Sequence, residues 1–339
     1  MSVADLYKCL EDIARQAIVL MDKSGIKHSD FSGLDRINKE LLDINENDED
    51  SDRSRKIKTN EKRKIIDSIL LEYFSIFGKL IYPQKRTVLY SRELKDKMDR
   101  NAFTKEDDSI VSIEEAKEIK DVILYFEKLI KNGSNLNNHL SRGIYNAKQP
   151  DTLLYVWNVK HIHLNKQEAM SKADMQNNRA DWLLFVIVDD EECVFIDVRP
   201  HPHGSGFLSY SILEIIHNNA WMEKAGFFAV KQVTAEYLVK DTETLYELYK
   251  NNVNIPFEFN GTVYLPRGGI TTAGTNVSDT CNFQQWKRLL QKEFEKKEFE
   301  NIAYVSYLPS ENSLGEGIIT FSDGSRLPLS ELIDKNKRR

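Results

Sequence analysis

The chain has 339 residues, 41% of them hydrophobic and 29% charged, which suits one large or two ordinary globular domains and excludes a disordered or membrane-embedded class. Its net charge of −6 opposes strong non-specific adhesion to nucleic acid, whose affinity comes from neutralising phosphates, although a locally basic cleft is compatible with it. Cys9, Cys193 and Cys281 form no CxxC pair, so the composition suggests reduced, mostly buried thiols rather than a disulfide framework or a thiolate zinc site.

In chain order, Val3, Leu6, Leu10, Ile13, Ala17 and Leu20 recur at spacings of three and four. That is the apolar stripe of an amphipathic helix, with Ser2 as its N-cap. The start of the chain carries acidic residues where a signal peptide would be apolar, and no apolar run reaches the roughly 18 residues needed to cross a bilayer. A cytoplasmic protein without membrane contact is expected. The acidic block 43–52 followed by the basic stretch "RSRKIKTNEKRK" predicts a solvated, charged linker near 43–64. Ile66, Ile69, Leu70, Tyr73, Phe77 and Leu80 share the face of a second helix that Pro83 stops. Ser112 and Glu115 form a capping box for a third helix, which carries Ile119, Val122, Ile123, Phe126 and Ile130 and ends at Gly133. Residues 1–148 therefore read as a helical N-terminal region, whose stripes could serve homo-oligomerisation or partner binding.

The period then changes. "TLLYVWNVKHIHL", "WLLFVIV" and "CVFIDVR" read as strands, the last two joined by "DDEE" as an antiparallel hairpin. A helix follows around Ile212, Ile215 and Ile216. Next come a strand in "FFAVKQVTAEYLV", a helix in "TETLYELYKNN", a hairpin turning at Asn260 and Gly261, a helix in "FQQWKRLLQKEFEKKEF", and closing strands in "AYVSYL" and "GIITFSDGSRLPL". Residues 149–339 thus form an α+β domain around a mainly antiparallel sheet with flanking helices.

Alternation along a strand puts His161 and His163 on one face. It also sets Val194, Ile196 and Val198 against Asp197 and Arg199, with His201 and His203 where that strand ends. If the strands share a sheet with these faces aligned, imidazoles, a carboxylate and a guanidinium converge. Such a cluster admits metal-free acid–base cleavage of RNA: His161 and His163 with His201 or His203 move protons, and Arg199 or Arg179 supplies the cation. It equally admits a zinc or manganese site built from His161, His163, Asp197 and His201, as in a metal-dependent nuclease or phosphohydrolase. It also admits a non-catalytic binding or regulatory protein in which these residues are structural. The segment "RGGITTAGTN" offers an anion nest from Arg267, Gly268, Gly269, Thr271 and Thr272, set against an ordinary loop. His217 and the aromatics Trp157, Trp182 and Phe185 read as packed residues.

The hairpin "RADWLLFVIVDDEECVFIDVRPH" resembles RelE/ParE-like toxins, within the barnase-, EndoU- and RelE-like ribonuclease folds, and the match maps Arg179 and His201 onto that family's Arg and His positions. The longer stretch from "DTLLYVWNVKHIHL" to "LEIIHNNAW" resembles bacterial proteins associated with phage defence and toxin–antitoxin loci. The resemblance implies a metal-independent endoribonuclease-like toxin or defence effector, with RNA as substrate, no cofactor, and an antitoxin or regulatory partner.

Overall fold

The structure, a computed structural model, describes residues 3–23, 32–42, 51–165, 181–202, 207–230, 239, 241–272, 274–296, 302–308, 316–321 and 326–328. Its class is α+β, and two compact units divide the chain: Met1–Gly78 with Tyr145–Lys148 and Asp279–Arg339, and Lys79–Ile144 with Gln149–Ser278.

In the first unit, α1 (Val3–Lys23), α2 (Ser32–Leu42), most of α3 (Ser51–Lys79) and most of α9 (Val277–Lys296) accompany an antiparallel sheet of β8 (Ile302–Leu308), β9 (Glu316–Phe321) and β10 (Arg326–Pro328). Leu10, Ile13 and Ala17 are buried as the first stripe predicts, as are Ile66, Ile69, Leu70 and Tyr73 of the second. Ser2 and the side chains of Val3, Leu6, Leu20 and Phe77 lie outside the described residues. Glu11 ties the helices together: it accepts from Arg15 and Asn38 at 2.9 Å each and lies 2.6 Å from Lys62. Burial works to raise its pKa, but these partners outweigh burial and hold it below the usual carboxylate range. The basic stretch expected in a linker is instead helical, forming the first turns of α3, while residues 43–50 lie outside the described residues.

The second unit carries a four-stranded sheet in the order β1-β4-β3-β2, made of β1 (Thr87–Tyr90), β2 (Lys160–His163), β3 (Trp182–Val188) and β4 (Glu192–Pro200). Only β1 runs parallel to its neighbour, β4. With it come α4 (Arg92–Arg100), α5 (Ile113–Asn132), α6 (Thr152–Trp157), α7 (Tyr210–Asn218) and α8 (Thr242–Lys250). A small sheet orders β5 (Phe227–Val230), β7 (Thr262–Pro266) and β6 (Phe257–Phe259). The segment 1–148 expected to be helical therefore gives β1, α4 and α5 to the second unit. Ser112 Oγ accepts from Glu115 N at 3.1 Å, and Gly133 ends α5 at φ 73°, as the capping signals predict.

Two local structures differ from the alternation read in the sequence. "TLLYVW" is the helix α6, not strand: Asp151 caps it by accepting from Leu154 N at 3.1 Å, and Asn158 closes it at φ 52°. Residues 153–157 are all buried, so no polar face marks a helical period. The second difference is a β-bulge. Phe185 pairs with Asp197 but Val186 pairs with Phe195, leaving Ile196 as the extra residue. The bulge shifts the phase of β4. Val194, Ile196, Leu183, Phe185 and Ile187 share one core cluster with Ile212, Leu213 and Ile216 of α7, whereas Val198 pairs with Leu184, outside it. Asp197 and Arg199, opposite Phe185 and Leu183, thus lie on the face covered by α7 and not behind it.

Candidate functional site

Sheet register sets the positions of the candidate groups. His161, Phe185 and Asp197 form one cross-strand row, and His163, Leu183 and Arg199 form the next, so all four polar residues share a face. The central strand keeps them in two groups, because β2 and β4 are about 10 Å apart with β3 between them.

The first group is aromatic. His161 and His163 have ring centroids 5.8 Å apart, and His163 and His201 are 5.6 Å apart. Phe207 touches His161 at 5.1 Å and His201 at 5.5 Å. His201 is held by its backbone N–H, which donates to Asp181 O at 2.7 Å, one step beyond the last strand pair. Its Nδ1 lies 3.2 Å from the Pro202 carbonyl, which can only accept, so this contact is a hydrogen bond when Nδ1 carries a proton. His161 keeps some accessible surface, but its Nδ1 is buried and has no hydrogen-bond partner among the described residues. Desolvation lowers the His161 pKa below its ordinary value; the Asp151 charge opposes this, and His201 and Lys160 add to it.

The second group is ionic. Asp197 is fully buried; its Oδ1 accepts from Lys97 Nζ at 2.7 Å and from Val198 N at 2.9 Å, and its Oδ2 accepts from Arg199 Nε at 2.8 Å. Arg199 Nη1 donates to Ser209 Oγ at 3.0 Å and Ser211 Oγ at 2.8 Å, and those hydroxyls lie 2.7 Å apart. Lys97, Phe207, Ser209 and Ser211 were not singled out in the sequence. A Ser-x-Ser pair opening the helix after the histidines was a usable signal, whereas Lys97 comes from a helix about 100 residues away and gave none.

Other candidates lie elsewhere. Arg179 and His203 are outside the described residues. In the 267–276 segment, Arg267 N donates to Gly226 O, Gly269 N to Tyr155 O, Ile270 N to Asn254 Oδ1 and Thr271 N to Thr275 O. Those four amides are engaged within the fold, and the Arg267 side chain pairs with Glu223 at 3.2 Å. Thr272 is exposed, and Ile270 and Asn276 form an isolated antiparallel bridge. His139 is buried edge-on to Phe126, and His217 stacks on Phe259. Among the described residues no three His, Cys, Asp or Glu side chains are grouped to hold a metal ion, and no helix is long and apolar enough to cross a membrane. Comparison with protein-family models, with curated proteins and with solved structures gives no match.

Proposed function

We propose that the histidine end of this sheet is an acid–base centre that cleaves RNA without a metal, in a cytoplasmic toxin or defence effector restrained by a partner protein. The observation that carries the proposal is the run of three imidazoles in which His163 neighbours both His161 and His201, at 5.8 Å and 5.6 Å between ring centroids. Such chemistry needs one neutral and one protonated imidazole near neutral pH. Burial favours the neutral form of His161, which suits it to accept the 2′-hydroxyl proton. The 2′-oxygen then bonds to phosphorus as the bond to the 5′-oxygen breaks, and that oxygen leaves with a proton from Nε2 of His201. The products are a 2′,3′-cyclic phosphate and a 5′-hydroxyl. His163, between the two rings, orients them. Arg199, fixed by Asp197, supplies positive charge for the phosphoryl oxygens.

Incubation of the purified chain with RNA and DNA, with and without EDTA, tests the proposal beside His161→Ala/His163→Ala. RNA cleavage that survives EDTA and disappears in the double variant is expected. EDTA-sensitive cleavage would assign the histidines to a metal, and inactivity under all conditions would favour a binding protein.

A further inference from the structure

One carboxylate, Asp197, serves two cations, Lys97 and Arg199, and among the described residues neither cation has a second ion pair. The trio therefore carries one surplus positive charge, and Arg199, whose side chain is 22% exposed, meets only the neutral Ser209 and Ser211 hydroxyls through Nη1. One of these, Ser209, is the N-cap residue of α7, yet it makes no side-chain cap bond to the helix and turns to Arg199 and Ser211 instead. A cation, two hydroxyls and the positive end of a helix together are an anion cradle.

The residue between those serines is aromatic. Tyr210 and His217, two turns apart on α7, both stack on Phe259 of β6, at 5.3 Å and 27° and at 4.7 Å and 17°. Tyr264 of β7 meets the His217 ring edge-on at 5.8 Å. All four rings are only half-buried. Tyr210 stacks in the column and lies in sequence between the two cradle serines, and Phe207, two residues before Ser209, meets the His161 and His201 rings.

We infer that Arg199, Ser209 and Ser211 bind a backbone phosphate and that the Tyr210–Phe259–His217 column stacks an unpaired base beside it, making single-stranded RNA the substrate class of the site. The inference rests on the RNA-cleaving function proposed above. A duplex keeps its bases stacked on one another and cannot use such a platform, whereas a splayed strand offers both a π face and a phosphate. Stacking tolerates any base, so the subsite selects strand form rather than sequence.

Binding to the full chain carrying His161→Ala, which removes the proposed base and so prevents turnover, tests this with three probes: a single-stranded RNA decamer, the same sequence as duplex, and an abasic strand of equal charge. The decamer is expected to bind most tightly. Adding Phe259→Leu and His217→Ala should weaken decamer binding about tenfold or more and leave the abasic strand within about twofold. Phe259→Tyr should retain binding, and Arg199→Gln should weaken all three probes alike. Equal affinity for decamer and abasic strand, an unaffected column variant with parental circular dichroism, or no RNA binding at all would overturn the inference. Cleavage that persists beside an unaffected column variant would remove this subsite and leave the cleavage chemistry standing. Base-dependent binding by a chain that cleaves nothing would do the reverse.

Discussion

Asp197 holds Arg199 from two residues away on the same strand: Arg199 Nε donates to Asp197 Oδ2 at 2.8 Å while Lys97 Nζ takes the other oxygen at 2.7 Å. The carboxylate has no exposed surface, so its removal leaves two cations facing each other in a poorly solvated position. Asp197→Ala is expected to destabilise the protein by about 3–5 kcal/mol, as for other broken buried pairs. Urea denaturation with an unchanged m-value reads this directly. A cost below about 1 kcal/mol would mean that solvent reaches these charges.

That same pair shows where the sequence was legible and where it was not. Period-2 alternation correctly set His161 with His163 and Asp197 with Arg199, because alternation within an unbroken strand is fixed by backbone geometry. It put the second pair opposite Val194 and Ile196 because an extra residue at Ile196 leaves no mark in the sequence, yet it reverses the phase of everything after it. Caps were legible for a similar local reason. Ser112 and Gly133 act on their own helix, and Asn260 and Gly261, at φ 49° and 73°, make the turn that joins β6 to β7. Strand β1 was missed: Thr87–Tyr90 is too short to show a period and is ordered by pairing with residues 192–195, about 100 positions later.

His161 makes stability depend on pH. Its folded pKa lies below the ordinary 6.5, so above about pH 6.5 the ring is neutral in both states and costs nothing. As the pH falls below that value the unfolded imidazole takes up a proton that the folded one refuses, and stability declines until the folded pKa is reached. The slope should approach at most about 1.4 kcal/mol per pH unit. Urea midpoints between pH 7.5 and 5 should therefore fall more steeply for the parent chain than for His161→Gln. Parallel curves would show that the ring is solvated in the native protein.

Gly133 occupies a left-handed conformation at φ 73°, and a Cβ there would sit 2.9 Å from the Lys85 backbone nitrogen. Both the conformation and the contact penalise a side chain, and the obstructing atoms are backbone that cannot swing away. Gly133→Ala should cost about 1–3 kcal/mol. Gly261→Ala, at the same φ but with open space around it, should cost about 1 kcal/mol, so thermal denaturation of the two variants separates steric from conformational strain.

The described thiols should differ sharply in reactivity. Cys193 lies in the β4 core and is fully buried, and burial pushes its pKa up to about 12, with Arg86 pulling only partly against it. Cys281 is exposed on α9. Because the thiolate is the reactive form, Cys193 lacks both access and ionisation. A thiol reagent at pH 7.5 should modify Cys281 in the native protein, while Cys193 should be modified only at the rate at which the sheet opens, accelerating as urea approaches the unfolding midpoint. Peptide mass mapping of the labelled sites resolves the two. Rapid native labelling of Cys193 would contradict its place inside the sheet, opposite Val188 of β3 and Val88 of β1.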